Sequence, residues 1–407
     1  MHSHGSLRGA WHRVVISAVL CAVVVLAGCR APAAEAPPLD PIHVPLPTIA
    51  ALVSQDRGQI VDDQSLDGVS DAVRNAMGDG RRATYRSVSG ISGAGTSVTG
   101  TFFIPKGVAP AGGWPVVSLG HGLTGMNTDC APSNRPDMFG LATTVEVVLK
   151  LGMAVAVADY EGLGAPGKHP FLEPRTAAFN VIDAVRALHA LFPATSTRWL
   201  AFGQSQGGQA VWAANELNKS YGDGLTLIGS VAIAPAANVT GLVRLAVDQK
   251  LSDQQLALMP MVVTAAQRAF PGVPIDRLLH GAALTDTDAL TGCGTQADAA
   301  RGHITAADVK PSTQADADSL ADSLRKMALP QEPVSAPMLV VSGGKDRLIL
   351  PSWIAFAVAQ SCQMGGRIEY EEQKSAGHGD VGPDNQVIKW LADRFADAPA
   401  PSNCAGK

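Results

Sequence analysis

The stretch "AFGQSQGGQAVWAANEL", residues 201–217, decides how the chain is interpreted. Its residues 203–207, GQSQG, fit the pattern G-x-S-x-G, in which a serine stands on a sharp turn between a strand and a helix. The pattern alone is weak evidence, because 42 of the 407 residues are glycine and chance matches are expected. It becomes informative only if other segments supply a strand, a helix, a base, an acid and hydrogen-bond donors around Ser205.

Buried strands and helices alternate on both sides of Ser205. We predict strands at "WPVVSLGHG", "MAVAVADYEGLG", "TRWLAFG", "LTLIGSVAIAPAA" and "APMLVVSGGKD", and helices at "LATTVEVVLKLG", "TAAFNVIDAVRALHALF" and "GGQAVWAANELNKSYG". Strands that are apolar throughout and alternate with helices indicate a mostly parallel sheet with helices on both faces, the α/β class. Two β-rich runs, "RRATYRSVSG" and "TSVTGTFFIPKG", predict a hairpin at the sheet edge.

The regular alternation stops near Asn238 and resumes at "APMLVVSGGKD". The region between is rich in Ala, Asp and Thr and contains amphipathic segments such as "SDQQLALMPMVVTAAQRAF" and "ADADSLADSLRKMAL". We therefore expect residues 238–332 to form a helical cap inserted into a core made of residues 48–237 and 333–407.

The first 47 residues are expected to lie outside the fold. Residues 1–28 combine a basic start with a short apolar run, as in a signal peptide, and end in "LAG" before Cys29. This arrangement resembles a bacterial lipobox, in which the cysteine is lipidated; the alternative is an ordinary secretory signal followed by a chance cysteine. Residues 29–47 are rich in Pro and Ala and predict an extended, solvated tether.

Two further residues complete a candidate constellation with Ser205. Asp346 follows a predicted strand, and His378 lies between glycines in the loop "SAGHGD" after another strand. Taken singly, the aspartate could be a turn residue and the histidine a surface residue. Together they stand at the carboxyl ends of strands, where open parallel sheets carry their sites, and in the order Ser, Asp, His of α/β-hydrolases.

The residue types suit acyl transfer. A serine hydroxyl is a poor nucleophile at neutral pH, so His378 would accept its proton while Asp346 fixes the tautomer of the imidazole. The oxyanion of the tetrahedral intermediate needs backbone N–H donors. We expect these donors to be Gln206, at the start of the helix after Ser205, and Leu123, with Thr124 as the close alternative.

Four cysteines remain after the signal peptide and Cys29 are set aside: Cys130, Cys293, Cys362 and Cys404. They allow three connectivities, between which spacing alone does not choose. We call residues 121–130, which contain Leu123 and end at Cys130, the oxyanion loop. Because Cys130 lies on the same edge of the sheet as the cap, we expect it to pair with Cys293 in the cap. Cys362 would then pair with Cys404 and hold the C-terminal tail. No spacing typical of a zinc site is present, and we expect no metal.

Three segments make the chain resemble a known family: "HGLTGMNTDCAPS" (121–133), "DYEGLGAPGKHPFL" (159–172) and "GQSQGG" (203–208). They are similar to the signature segments of the secretory lipases, α/β-hydrolases of fungi and actinobacteria. The resemblance spans roughly residues 80–397. It implies hydrolysis of esters, with lipid esters as the leading class, a helical lid, and Ser205, Asp346 and His378 as the catalytic triad. The lipobox departs from the family's secreted members.

The remaining expectations concern alternatives and partners. An acyltransferase would use the same acyl-enzyme, and a non-enzymatic lipoprotein could keep the fold for binding. We expect structural roles for Glu161, His121 and His169. The net charge of −5 and the lack of a Lys/Arg run argue against nucleic-acid binding. We expect no cofactor, an ester substrate, and a location at the extracytoplasmic face of the membrane through a lipid anchor, or secretion.

Overall fold

The computed structural model describes residues 36–66 and 68–404 of the chain. The expected signal peptide, Cys29 and the first part of the tether lie outside the described residues. The described residues form nine strands, β1 to β9: Ile60–Ser65, Met77–Val88, Gly95–Pro105, Trp114–Gly120, Ala154–Ala158, Thr195–Gln204, Thr226–Ile233, Met338–Gly343 and Ile368–Gln373.

Fourteen α-helices accompany these strands within the described ranges. In chain order, α1 to α14 are Ala51–Gln55, Asp71–Ala76, Ala142–Lys150, Pro174–Leu191, Gln206–Tyr221, Gly241–Val247, Asp253–Ala269, Ile275–Leu278, Gly281–Thr285, Thr287–Thr291, Thr295–Arg301, Gln314–Met327, Pro351–Gln363 and Asn385–Phe395. None of the helices in this part of the chain is both long and apolar enough to cross a bilayer.

The strands form one sheet in the order β1-β2-β3-β5-β4-β6-β7-β8-β9. From β5 to β9 neighbouring strands are parallel, whereas β1, β2 and β3 are antiparallel to their neighbours. This confirms the predicted parallel sheet and the hairpin β2–β3. The strand at this edge of the sheet is β1, however, and not a strand of the hairpin. Its sequence "IVDDQS" is largely exposed and was not predicted to form a strand.

Side chains that alternate along the central strands face two separate apolar layers. In β5, the residues Ala154, Ala156 and Ala158 face the layer containing α4 and α5, while Val155 and Val157 face the layer containing α3 and α14. The small alanines let the long helix α4 lie close to the sheet. Helices therefore cover both faces, as the apolar strand sequences predicted.

Between β7 and β8 the chain is helical, with seven helices, α6 to α12. Both predicted amphipathic segments form helices: α7 begins with a capping box of Ser252 and Gln255, and Thr313 caps α12. Apolar side chains of α7 and α12 belong to the same buried layer as α4 and α5. We keep residues 238–332 as the proposed cap.

The described part of the expected tether is extended but is held against the protein. We call residues 36–47 the N-terminal strap. The indole N–H of Trp353 donates to the Ala36 carbonyl at 3.0 Å, and the Leu39 amide donates to Thr240 Oγ1 at 2.7 Å. Because Pro removes backbone donors but leaves carbonyls free, such a segment accepts bonds readily. The expectation of a solvated tether is therefore wrong for residues 36–47.

Two disulfides join Cys130 to Cys293 and Cys362 to Cys404, with Cα–Cα distances of 5.6 and 5.4 Å. The pairing is the one expected from the order of the strands. The first bond ties the oxyanion loop to the cap. The second ties helix α13 to the C-terminal tail.

Removing either disulfide should lower stability, slightly more for the bond that closes the longer loop. The bonded residues are 163 and 42 positions apart, so the chain-entropy relation gives losses of about 5 and about 4 kcal/mol. We expect urea denaturation to show these losses for Cys130→Ser/Cys293→Ser and for Cys362→Ser/Cys404→Ser respectively. A double variant as stable as the parent protein would contradict the corresponding bond.

Candidate active site

Ser205 stands on a strained turn between β6 and α5. Its φ of 58° and ψ of −118° lie in a region that residues with a side chain rarely adopt. The turn is possible because the residues around it are glycines: a Cβ on Gly203 would collide with Gly207, and a Cβ on Gly207 would collide with the Gly120 carbonyl of β4. Local sequence therefore forces the tight strand–helix approach that G-x-S-x-G predicted.

The three residues predicted from the sequence lie in one hydrogen-bonded row. His378 Nε2 is 3.0 Å from Ser205 Oγ, and His378 Nδ1 is 2.7 Å from Asp346 Oδ2. The other carboxylate oxygen, Oδ1, accepts the N–H groups of Leu348 and Ile349 at 2.8 and 3.0 Å. The carboxylate is buried, and both of its oxygens accept hydrogen bonds. Because a carboxylate only accepts, the imidazole must carry its proton on Nδ1, which leaves Nε2 free to accept the serine proton.

The histidine loop is held by a residue that the sequence interpretation did not single out. Gln204, directly before Ser205, donates from its side-chain amide to the carbonyls of His378 and Val381 at 3.3 and 3.2 Å. Gln204, a variable position of G-x-S-x-G, thus holds the loop that carries His378. In the sequence, this role was indicated only by a polar side chain, Gln204, at the end of an otherwise apolar strand.

The predicted oxyanion donors lie next to Ser205. Gln206 is the first residue of α5, where the backbone N–H groups have no partner within the helix. The loop after β4 passes close by, since a Cβ built on Gly122 would be 3.9 Å from the Ser205 Cβ. Leu123 follows Gly122, while the Thr124 hydroxyl turns away and donates to the Cys130 carbonyl at 2.7 Å.

A buried histidine positions the Gln206 side chain. His169 Nδ1 donates to the Glu161 carbonyl at 2.9 Å, so Nε2 accepts from Gln206 Nε2 at 2.9 Å. Burial lowers the pKa of His169 to about 3, and its hydrogen bond to the Glu161 carbonyl opposes this shift only in part. Burial likewise lowers the pKa of His121, whose ring nitrogens contact the carbonyls of Gly122 and Asp159. Neither ring contacts Ser205.

Helix α7 of the cap connects the two loops that flank Ser205. At its start, the Ser252 hydroxyl donates to the Arg347 carbonyl at 2.8 Å. Arg347 directly follows Asp346, and we call the loop that carries both residues the acid loop. At its end, Arg268 donates to the carbonyls of Met126 and His169 at 3.3 and 2.9 Å. One cap helix therefore contacts both the acid loop and the oxyanion loop.

Two cavities lie beside this row of residues. A cavity of about 390 Å³ between the oxyanion loop and α7 is lined by apolar side chains that include Leu123, Leu258 and Met261. A polar cavity of about 440 Å³ adjoins His378 and Lys345. A larger cavity, about 1040 Å³, lies between the strap and the end of α5, and no residue of the loops that carry Leu123, Asp346 and His378 lines it. The smaller cavities are therefore the candidate substrate sites.

The sequence profile of the secretory lipase family matches residues 140–403. The chain belongs to this family. Its members are ester hydrolases of the lipase and esterase type with an α/β-hydrolase fold, and the family points to an extracellular or secreted location.

Solved structures of lipases and esterases share this fold. Candida antarctica lipase A matches with 16% identity and a TM-score of 0.71, over 89% of this chain and 89% of its own. A rice cell wall degrading esterase, LipA from Xanthomonas oryzae, matches with 17% identity and a TM-score of 0.64, over 84% and 96%. At these identities the likeness shows the fold. The comparison with curated protein sequences gives no match.

Glu161 of the "DYEGLG" segment is a half-buried acid outside the row formed by Ser205, His378 and Asp346. Burial raises the pKa of Glu161 to about 7, and the charge of Glu173 adds to the shift, while the Ser89 hydroxyl opposes it. Its Oε2 is buried without a hydrogen-bond partner. Ionisation of Glu161 in the folded protein therefore carries a free-energy cost of desolvation.

The raised pKa predicts a stability change with pH. Below the unfolded value of about 4.5 both states are protonated. As the pH rises toward 7, the unfolded state ionises and the folded state does not, so the free energy of unfolding falls by up to about 3 kcal/mol. We expect Glu161→Gln to remove this part of the fall, measured by urea denaturation from pH 4.5 to 8.

The exposed Glu372 offers a matched control, since Glu372→Gln removes a carboxylate on the surface. This control should keep the pH profile of the parent protein. A Glu161→Gln profile parallel to the parent profile would show that folding does not raise the pKa of Glu161.

Proposed function

We propose that the protein is a serine ester hydrolase that acts on lipid esters through an acyl-enzyme on Ser205. The observation that carries the proposal is the row of hydrogen bonds from Ser205 Oγ to His378 and from His378 to Asp346, on a strained strand–helix turn. Membership of the secretory lipase family supports ester hydrolysis as the reaction class.

The geometry supports the following sequence of steps. As Ser205 Oγ attacks the ester carbon, His378 Nε2 accepts its proton and Asp346 stabilises the imidazolium. The oxyanion accepts hydrogen bonds from the N–H groups of Gln206 and Leu123, each worth roughly 3–4 kcal/mol of barrier in comparable sites. His378 then protonates the leaving alcohol. In the second half, His378 removes a proton from water as the water attacks the acyl carbon. His378 then returns this proton to Ser205 Oγ as the bond to the acyl carbon breaks and the acid is released.

The candidate substrate cavity favours an apolar acyl chain. Leu123, Leu258 and Met261 line it, and Leu348 of the acid loop adds a further apolar wall. An ion pair of Arg301 and Asp298 also borders the cavity. An apolar wall with a few polar groups is usual for sites that hold small apolar ligands. This lining and the family support lipid esters as the substrate class.

We also propose that Cys29 is lipidated and anchors the enzyme to the outer face of a membrane. The support is the sequence "LAGC" after a signal-like segment, which lies outside the described residues. The two disulfides suit an oxidising compartment beyond the cytoplasm.

The role of Ser205 is tested with p-nitrophenyl esters. We expect Ser205→Ala to lower kcat on the order of 10⁶-fold, because no nucleophile remains. We expect Asp346→Asn to lower kcat by roughly 10⁴-fold, because the amide favours the wrong histidine tautomer. Both variants should unfold in urea at a concentration close to that of the parent.

The control for these variants is Ser97→Ala on β3, a serine remote from the site whose hydroxyl bonds to exposed Arg86. It should hydrolyse the ester at the parent rate. Near-parental turnover by a correctly folded Ser205→Ala variant would end the proposal. Acyl transfer to an added alcohol that exceeds hydrolysis would instead identify an acyltransferase.

Lipidation is tested by mass spectrometry of the mature protein from cells. We expect an N-terminal diacylglyceryl Cys29, and an unprocessed precursor when the lipoprotein signal peptidase is inhibited with globomycin. Cys29→Ser should abolish the lipid adduct while leaving the fold unchanged. A mature N-terminus at another residue would show an ordinary secretory signal.

A further inference from the structure

The two smaller cavities beside Ser205 differ in their lining and adjoin each other. The cavity at the oxyanion loop has apolar walls formed by side chains such as Leu258 and Met261. Each described residue that lines the cavity at His378 is polar, charged or a glycine. Gln254, in the first turn of α7, borders both cavities. A molecule that extends past Gln254 can therefore occupy both, with an apolar part in one cavity and a polar part in the other.

The reaction of the proposed hydrolase decides which half of an ester enters which cavity. Leu123, an expected oxyanion donor, lines the apolar cavity, whereas His378, which protonates the leaving alcohol, lines the polar cavity. The carbonyl oxygen of the ester must point to the oxyanion donors, and the oxygen of the leaving alcohol must approach His378 Nε2. The acyl chain then extends into the apolar cavity and the alcohol part into the polar cavity.

Three segments form the wall of the polar cavity and are joined by hydrogen bonds. The Lys345 N–H donates to the Ala376 carbonyl at 2.9 Å, which joins the acid loop to the His378 loop. The bond from the Ser252 hydroxyl to the Arg347 carbonyl joins the acid loop to the start of α7. Both bonds use backbone atoms of the acid loop. The charged ends of Lys345 and Arg347 are therefore available to a ligand.

The cations at the polar cavity have no counter-ion in the part of the chain that the structure describes. Lys345 and Arg347 flank Asp346 in the sequence, both are exposed, and both line the cavity. Neither forms an ion pair with a described residue. The Asp346 carboxylate between them is buried and accepts its hydrogen bonds from His378 and from backbone N–H groups. It is therefore not available to neutralise them.

The cavity carries two acids as well, Asp253 and Asp380, but backbone N–H groups stabilise both. Asp380 Oδ2 accepts the Gly377 N–H at 3.3 Å. Asp253 lies in the first turn of α7, where the N–H groups at the start of a helix favour a negative charge. Because the acids are stabilised by the protein itself, the two cations are the charges left to bind an anion from outside.

We propose that the polar cavity binds the alcohol part of the ester, and that Lys345 and Arg347 select alcohols that carry an anionic group such as a phosphate. Both side chains bind phosphate, arginine through paired hydrogen bonds and lysine as a point charge. Among lipid esters this chemistry fits glycerophospholipids, in which the phosphate lies on the alcohol side of each acyl ester. The proposal rests on the proposed hydrolase and adds the substrate class of the same site.

The selectivity is tested with two soluble esters that differ in one group, the monohexanoyl ester of glycerol and the monohexanoyl ester of glycerol phosphate. Both carry the same acyl chain, so the ratio of their kcat/KM values isolates the effect of the phosphate. We expect the parent protein to prefer the phosphate ester about tenfold, the effect of two exposed charge-assisted contacts.

Equal kcat/KM values, or a preference for the neutral ester, would overturn the selectivity. Hydrolysis of p-nitrophenyl hexanoate by the same sample reports the chemistry separately. A protein that cleaves this ester without a phosphate preference would refute the selectivity alone. A protein that cleaves none of the three esters would overturn the hydrolase and the selectivity together.

The variant Lys345→Met/Arg347→Met removes both cations, and we expect the phosphate preference to disappear. The matched control is Lys374→Met, because Lys374 is exposed and lies in the segment before His378 but does not line the cavity. The control should keep the parental rates on both esters. A double variant that retains the preference would overturn the proposal.

Asp253→Asn tests the sign of the effect. Removing an acid from the cavity should raise the phosphate preference a few-fold, because less negative charge then faces the phosphate. Loss of packing would not shift the ratio in opposite directions in the two variants. Salt gives a measurement without mutation, since raising sodium chloride from about 50 to about 500 mM should weaken the preference of the parent protein. A preference unaffected by Asp253→Asn and by salt would overturn the proposal.

Discussion

The close approach of Gly120 and Gly207 is the constraint on which the site depends. With no side chain at either position, the first turn of α5 lies directly against the end of β4, and Ser205 is forced to a φ of 58°. Two consequences follow from this one contact. Ser205 Oγ is presented at the carboxyl edge of the sheet within reach of His378, and the free N–H groups at the start of α5 lie beside the loop that follows β4. A side chain at Gly207 would push the helix away and separate Ser205 and Gln206 from the loop that follows β4.

Much of this arrangement could be predicted from the sequence, because local patterns report local geometry. The buried strands are apolar throughout, and Ser205, Asp346 and His378 each stand where such a strand ends. The missed features depend on contacts between distant segments. Strand β1, "IVDDQS", is largely exposed and forms only because it pairs with β2. In the sequence, Gln204 is only a variable position of the motif. Its hydrogen bonds to the His378 loop are visible only in the structure.

The tether was misjudged for a related reason. For residues 36–47, the described part, the Pro-rich composition correctly predicted an extended backbone without helix or strand. Composition does not tell whether the carbonyls of such a segment bind water or protein donors. Here Trp353, Asn238 and Arg325, which are far away in the sequence, supply the donors. A segment can therefore look like a linker in composition and still be part of the packed structure.

The proposed cap, residues 238–332, is held to the rest of the protein by contacts of very different strength. At the end of α12, Arg325 is bonded to the strap. Near α10 and α11, the disulfide Cys130–Cys293 joins the cap to the oxyanion loop, and the Met126 N–H donates to the Thr291 carbonyl. Between these restraints, the start of α7 is joined to the acid loop by two side-chain hydrogen bonds, from Ser252 and Gln255. Those bonds break at far smaller cost than a disulfide. The start of α7, beside the polar cavity at His378, is therefore held to the loop after Asp346 more weakly than the proposed cap is held to the oxyanion loop.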